Sequence, residues 1–463
     1  MERKAAKLQM EWNKVPDRLN RKLYLPSDRT DLYEMLTLWG VIVLTSVLIL
    51  LGTAQKMFSL LALGLAAYAT VFGKDANTVI LLVAITPIAN IFKASPGSTS
   101  FHTYLMLLYS LKTFLVKKSL NAVSVLFAIF FIAVQFATYH LETTTTIKLM
   151  SNIWFLDAAY KEWSRKEPSK LFYGFILGVF NCSIFRMMDS HVFQVTRYVA
   201  VENLSRIYGL EGGVRFSGCY NDPNYYSVNL IIAICLIVLL LKDKRIPRIL
   251  ATALILFFLY CAYLTYSKSA LAMMLLPLIL YVYQNIKERH IYKVGMTVIC
   301  LIGGLMWLLK TKPEMFDIVI ARMSEGSGGG LNALTTGRTD IWMWYFEYFL
   351  MNPVKFLFGG GDYKFSPVHG RASHNTPIEM LYHLGLIGSA LFVAVGATIF
   401  EEYHVRHRRS FMNYSVALCV FIMYMFLSEL FLIDIPVHIL LSFLVMDLPS
   451  DKDDAIFLEM QRT

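Results

Sequence analysis

Apolar residues gather along this chain in long unbroken stretches rather than alternating or marking a single face. They fall at roughly 35–52, 57–73, 77–93, 101–116, 121–139, 146–162, 170–187, 225–241, 248–266, 268–285, 292–309, 376–400, 411–427 and 430–446, most of them near the length that one helix needs to cross a bilayer. In lipid every backbone N–H and C=O must be satisfied within the chain, so such stretches must be helices. The pattern predicts an all-α polytopic membrane protein with about 12–14 transmembrane helices. The stretches at 146–162 and 430–446 are the weakest, being short or carrying Lys148, Asp157 and Asp434.

The polar connections orient these helices. With a cytoplasmic N-terminus, the inside segments hold Arg3, Lys4, Lys7, Arg18, Arg21 and Lys22, then Lys117 and Lys118, then Lys161, Arg165 and Lys166. Further along they hold Lys242, Lys244, Arg245 and Arg248, then Lys287, Arg289 and Lys293, and last Arg406, Arg408 and Arg409. The short outside connections hold little beyond Lys56, Lys93 and Lys268. Basic residues favour the cytoplasmic side, so both termini are expected there. Dropping the weak 146–162 stretch would reverse the parity and put the basic cluster at 161–170 outside, which is why it is kept. The expected organisation is a basic cytoplasmic segment 1–34, helices over 35–187, an extracytoplasmic loop 188–224, helices over 225–309, a large extracytoplasmic loop 310–375 carrying short helices, helices over 376–446 and a cytoplasmic tail 447–463. Residues 1–34 are polar and basic and read as no cleavable signal peptide.

Composition sharpens the picture in two ways. Only 16% of the 463 residues are charged and 56% are hydrophobic, against about 25% charged in a soluble domain. The net charge of +10 is spread over the connections rather than gathered on one surface, so it follows membrane orientation and implies no nucleic-acid partner. Of the six cysteines only Cys219 falls in a long outer loop, and no disulfide framework is implied.

The candidate chemistry lies in the two long loops. The first ends in Gly213-Val214-Arg215-Phe216-Ser217-Gly218-Cys219-Tyr220-Asn221-Asp222-Pro223-Asn224. Asp222 before Pro223 is a helix-start signal, so these residues read first as a cap. The second ends in His374-Asn375-Thr376-Pro377-Ile378-Glu379, where Thr376 with Glu379 reads as a capping box. Two helices thus begin at the outer face with an arginine upstream of each. Helix N-termini suit phosphate groups, and arginine adds bidentate recognition. An anionic headgroup such as a diphosphate fits that arrangement. The glycine-rich stretch Ser324–Gly330 could let a lid move, and it precedes Thr336-Gly337-Arg338-Thr339-Asp340-Ile341-Trp342. The aromatic residues from Trp342 to Phe349 read first as a membrane-interface anchor and second as a stacking surface. Gly359-Gly360-Gly361 then turns the chain back. His374, with Arg371 and Arg338 in the same loop, is a candidate acid or base against the plainer reading of a surface or capping histidine; His369 competes with weaker flanks. Lys268, in the hairpin Tyr266-Ser267-Lys268-Ser269, reads equally as a snorkelling or substrate-binding cation. No metal-ligand spacing, phosphate-binding loop or nucleophile elbow is present in the sequence.

Taken in order, Arg215 to Asn224, Gly337 to Trp342, and His374-Asn375 followed by Gly385-Leu386-Ile387-Gly388 resemble the three motif segments of the O-antigen ligase and polymerase superfamily of bacterial membrane glycosyltransferases. The resemblance covers roughly 205–400 and departs from the family at His383, where an acidic residue is frequent, and at Lys268, where arginine is common. It implies a helical glycosyltransferase of the GT-C type in the cytoplasmic membrane, active on the extracytoplasmic face without metal, cofactor or nucleotide sugar. The implied donor is a glycan on undecaprenyl diphosphate. The implied partners are a glycan or lipid acceptor, the bilayer, and a chain-length regulator or other envelope-assembly protein. Arg215 and Arg338 would hold the departing diphosphate and His374 would activate the acceptor, with Asp222, Asn224, Lys268, Arg371 and Asn375 as substrate-binding candidates. Polymerisation of a surface polysaccharide is favoured over ligation to a lipid or protein. A transporter or flippase is the rival from another class, and it would place ionisable residues mid-membrane; Lys112 is the exception that favours it. A scaffold for glycan assembly would tolerate loss of His374 and Arg215 together.

The orientation has a direct check. Alkaline phosphatase fused after Glu202 or Glu325 should be active, and fused after Lys244 or Arg406 inactive. The reverse pattern would overturn the topology.

Overall fold

The computed structural model describes residues 29–448 apart from 53–54, 94–98, 118–119, 139–142, 189–215, 221, 266, scattered positions between 288 and 309, and 311–336, 361–367, 405–410 and 428–433. Of the sequence candidates, Arg215 lies outside the described residues, as do the glycine-rich stretch and Gly361.

The chain is all-α. Its helices are α1 (Arg29–Gly52), α2 (Lys56–Phe72), α3 (Asp75–Ile85), α4 (Phe101–Lys117), α5 (Ala122–Ala137), α6 (Thr143–Trp163), α7 (Ser169–Met188), α8 (Pro223–Lys242), α9 (Arg248–Leu264), α10 (Lys268–Met273), α11 (Leu275–Lys287), α12 (Arg338–Met351), α13 (Pro353–Phe358), α14 (Thr376–Tyr403), α15 (Ser415–Tyr424) and α16 (Ile435–Met446). Among the described residues four segments are long and apolar enough to cross a membrane, at Asp75–Phe92, Ser169–Met187, Pro223–Lys242 and Thr376–Tyr403, and six shorter apolar helices join them. Leu60, Ile129, Leu256 and Phe421 stay exposed on the bundle's flanks. So much outward-facing apolar surface is tolerable where the solvent is lipid.

Helix α8 forms the centre, packed against α7, α9, α10, α11 and α15. Its side chains from Val228 to Ile237 are buried, which explains why its sequence is hydrophobic all round rather than along one stripe. Around it α3 packs on α7, α4 on α6, α5 on α14, and α16 on α6 and α15.

Two predicted helices depart from the run pattern at proline. The 77–93 stretch is α-helical only to Ile85 and tightens to a 3₁₀ helix over Thr86–Phe92, because Pro87 has no N–H to continue the ladder. The 268–285 stretch is two helices, α10 and α11, meeting at Met274. Pro277 supplies no N–H to the carbonyl of Met273, so the chain breaks one turn before it.

Lys112, the intramembrane cation that favoured transport, is tied down. Its Nζ donates to the carbonyls of Thr70 (3.2 Å) and Gly73 (2.9 Å) and pairs with Asp75 at 3.2 Å. Lys117 pairs with Asp75 at 3.1 Å and with Glu162 at 2.7 Å. These ions fasten the C-terminal end of α2, the start of α3 and the ends of α4 and α6 at one end of the bundle.

Helix α14 is broken at Gly385, whose φ of 68° and ψ of −178° lie outside the helical region. The chain end of α13 fits into this break. The N–H of Gly360 donates to the carbonyl of Tyr382 at 3.0 Å. A Cβ on Gly385 would stand 2.2 Å from the nitrogen of Gly359, and one on Gly359 would stand 2.4 Å from the carbonyl oxygen of His383. Both glycines have positive φ. The contact is therefore backbone on backbone, which no other residue type permits. Gly385→Ala should lower stability by more than the about 1–3 kcal/mol of a strained φ alone, read by thermal unfolding in detergent, whereas Gly396→Ala, which meets open space, should not.

Candidate active site

The Asp222 turn forms as the sequence predicts. Asp222 is extended at φ −123° and ψ 128°, its side chain accepts from the N–H of Asn224 at 2.7 Å, and Pro223 opens α8. The N–H of Phe216 donates to the carbonyl of Leu264 at 3.0 Å, so this segment is laid against the end of α9. Ser267 then donates to the side-chain oxygen of Asn224 at 2.5 Å and accepts from the N–H of Ala270 at 3.2 Å. Lys268 is thereby fixed next to the Asp222-Pro223-Asn224 turn.

The start of α14 corrects one expectation. The cap is Asn375, not Thr376. Asn375 is extended, its side-chain oxygen accepts from the N–H of Ile378 at 3.0 Å, and Thr376 and Pro377 are already inside the helix. Thr376 is drawn elsewhere, donating its hydroxyl to the carbonyl of Leu427 at 2.6 Å. The other end of the Asn375 amide donates to the carbonyl of Met425 at 2.9 Å. Both ends of this amide are thus occupied by structure, which accounts for the residue without a ligand.

His374 precedes the cap in a left-handed conformation, φ 49°. Its neighbours hold it there. The Ser373 hydroxyl donates to the carbonyl of Asn375 at 2.8 Å and accepts from the Asn375 N–H at 3.2 Å. Helix α12 clamps the same turn from outside: the Trp342 indole donates to the carbonyl of Ser373 at 2.9 Å, and the Tyr345 hydroxyl donates to that of Arg371 at 2.7 Å. Ile341, Tyr345 and Phe349 are buried, while Met343, Leu350 and Met351 on other faces are exposed. Helix α12 thus buries one face at i, i+4, i+8 spacing, and Trp342 and Tyr345 on it buttress the His374 turn. His369 packs against Trp344 with ring centroids 4.4 Å apart and the rings tilted by 46°.

Electrostatics bring four of the candidates together. The pKa of His374 is lowered from its ordinary value by burial first, then by the positive charges of Arg338 and Arg371, against the opposing pull of Asp222. The imidazole is therefore neutral at pH 7, because both burial and nearby cations disfavour imidazolium. Arg338 opens α12 and donates from Nη1 to the carbonyl of Phe426 at 2.8 Å. Arg371 is exposed and also lies within electrostatic reach of His374. The arrangement offers two guanidinium groups and a neutral imidazole between two helix N-termini, suited to binding an anion and to accepting a proton.

Beneath this site runs a buried chain of hydrogen bonds that the sequence did not reveal. Tyr220 donates to Asp434 (3.1 Å) and accepts from the Asn229 amide (3.1 Å). The Asn229 oxygen meets His438 Nε2 at 3.0 Å, and His438 Nδ1 meets the Tyr424 hydroxyl at 2.7 Å. It connects the Asp222 turn, through Tyr220, to α15 and α16. Asp434 stood out only as a charge in a weak apolar stretch, and Tyr220 only as one tyrosine in a motif.

A family model described as O-antigen ligase matches residues 252–393. The match spans Lys268, Arg338, Arg371, His374 and Asn375 and stops short of the Asp222 turn. It supports membership of the O-antigen ligase and polymerase superfamily, as the motif resemblance expected. No curated protein shows significant similarity to the chain.

Asn375→Ala should cost about 1–2 kcal/mol through the lost cap and more through the unpaired Met425 carbonyl. Asp222→Ala should cost about 1 kcal/mol. Both are read as shifts in unfolding midpoint.

Proposed function

From that family match we propose that the chain is a membrane glycosyltransferase that polymerises a surface polysaccharide, such as O-antigen, capsule or exopolysaccharide, using a glycan carried on undecaprenyl diphosphate. The observation that carries this reading is His374, half-buried just before the start of α14 and within electrostatic reach of Arg338, Arg371 and Asp222. A lipid-linked glycan presents an anomeric carbon bonded to a diphosphate oxygen. Transfer breaks that bond, and the charge that builds on the leaving diphosphate needs fixed cations at its position. Arg338 and Arg215 are assigned that role, with Lys268 and Arg371 supporting it. The acceptor hydroxyl must lose a proton as its oxygen bonds to the anomeric carbon, and His374 takes it. Attack from the face opposite the diphosphate inverts the anomeric centre. Asp222 balances the surrounding positive charge and keeps the His374 pKa from falling further. On this reading the site faces the extracytoplasmic side of the cytoplasmic membrane, where headgroup and water meet.

The alternative is ligation to a lipid or protein acceptor, which the same groups would catalyse. Purified protein in nanodiscs, given one lipid-diphosphate repeat unit, separates the two. A ladder of products supports polymerisation; product only after a second kind of acceptor is added supports ligation.

In that assay His374→Ala should lower kcat/KM by about 10²-fold or more and Arg338→Ala by a similar factor, with membrane insertion unchanged. Full activity in both variants would sink the assignment. The acid limb of the pH profile should lie below the ordinary histidine value. Arg371→Gln removes a positive neighbour, so it should move that limb to higher pH, and Asp222→Asn should move it lower.

A further inference from the structure

A pocket of about 100 Å³ opens between α4 and α6, near the start of α5 and lined among others by Ser110, Leu111, Phe114, Trp154, Asp157 and Lys161. It belongs to neither motif loop. Helix α14 ends beside it, since the Glu402 carboxylate accepts from the Asn121 side chain at 3.4 Å and the Asn121 N–H donates to Asp157 at 3.3 Å. His374 precedes the other end of this 28-residue helix.

Three features of the pocket point to an occupant. The first is unmet hydrogen bonding. Asp157 is 4% exposed; one carboxylate oxygen takes the Asn121 N–H, and the other has no partner among the described residues. The Trp154 indole N–H is buried and has none either. A buried donor and a buried acceptor left unmet in one cavity are costly, and both are relieved by a ligand that offers the complementary groups. The second is charge. Asp157 lies within electrostatic reach of the Glu402 carboxylate and of one cation, Lys161, whose ammonium rests over the Tyr403 ring at 5.5 Å. Among the described residues, two carboxylates against one ammonium favour a cationic guest. The third is position. Trp154, Asp157, Ala158 and Lys161 form one face of α6, and Leu111, Phe114 and Leu115 continue the wall of α4 onto exposed apolar surface. In a membrane that surface meets acyl chains.

We propose that this pocket binds one phospholipid with a primary-ammonium headgroup, phosphatidylethanolamine being the type. Its ammonium donates to Asp157, its phosphate pairs with Lys161, an ester carbonyl or phosphate oxygen accepts from Trp154, and its chains lie along α4. Three N–H donors distinguish this headgroup from choline, which has none, and the positive charge distinguishes it from glycerol.

The test is native mass spectrometry of the full chain, delipidated and then returned to equimolar palmitoyl-oleoyl phosphatidylethanolamine, phosphatidylcholine and phosphatidylglycerol. The expected result is one retained phosphatidylethanolamine per chain in excess of the others. Asp157→Asn should weaken retention about tenfold, the scale of a lost charge-assisted bond, and Trp154→Phe about fivefold. The asparagine keeps an oxygen for the Asn121 N–H, and circular dichroism checks that the helices persist. If Asp157→Asn does not fold, the lipid competition on the native chain and the Trp154→Phe arm decide the matter. Equal retention of the three lipids, no retained lipid, or unaltered retention in a folded Asp157→Asn overturns the proposal. None of these outcomes bears on glycan transfer.

Discussion

Three consecutive carbonyls just beyond the end of α15 hold the candidate site together. Met425 accepts from Asn375, Phe426 from Arg338 and Leu427 from Thr376. A helix C-terminus leaves its last carbonyls without intrahelical partners and carries partial negative charge. Here the leftover acceptors recruit the guanidinium that opens α12 and the two residues that open α14. The termination of one helix thereby sets the starting points of two others. Arg338 and the start of α14 directly after His374 are both fixed by that junction. Breaking it would leave carbonyls unpaired in a dry environment, where the cost is far greater than in water.

The buried chain from Asp434 to Tyr424 complements this junction from below. Tyr424 is the last residue of α15, directly before the carbonyls that bind Asn375 and Arg338, and Tyr220 is two residues before Asp222. These hydrogen bonds, together with the short stretches of backbone at either end, therefore link the two segments that flank His374. Fully satisfied buried networks favour one arrangement over its competitors, since a partial shift strands polar groups. In a site that must hold charged groups at fixed separations, such rigidity has direct chemical value.

Much of the architecture was legible in the sequence, for a physical reason. Helices in lipid are selected by hydropathy and length, which are local properties, so the spans from α1 to α9 appear near their expected places. The Asp222 cap was legible as well, because Asp followed by Pro is a local preference with little competition. The cap of α14 was not, because Asn375 and Thr376 are both good caps and the choice between them is made by Leu427, 51 residues away. The same holds for Arg338 with Phe426, 88 residues apart, and for Tyr220 with Asp434, 214 apart. No spacing rule reaches that far. The proline breaks at Pro87 and Pro277 were written in the sequence, yet a pattern read by apolar runs passes over them. The aromatic residues of α12 were visible as a cluster, but their role as donors to the His374 turn depends on which carbonyls face them.

The break in α14 has a consequence for how the protein is made. A newly inserted helix normally enters lipid with its backbone already paired, but this one carries a gap at Gly385 whose Tyr382 carbonyl takes a donor from Gly360. The donor comes from a segment that lies earlier in the chain and therefore leaves the ribosome first. The pairing of α14 is thus completed only when the residues after α13 dock into its break. The sequence order of α13 and α14 is, in this sense, an assembly order: the plug is synthesised before the helix that needs it.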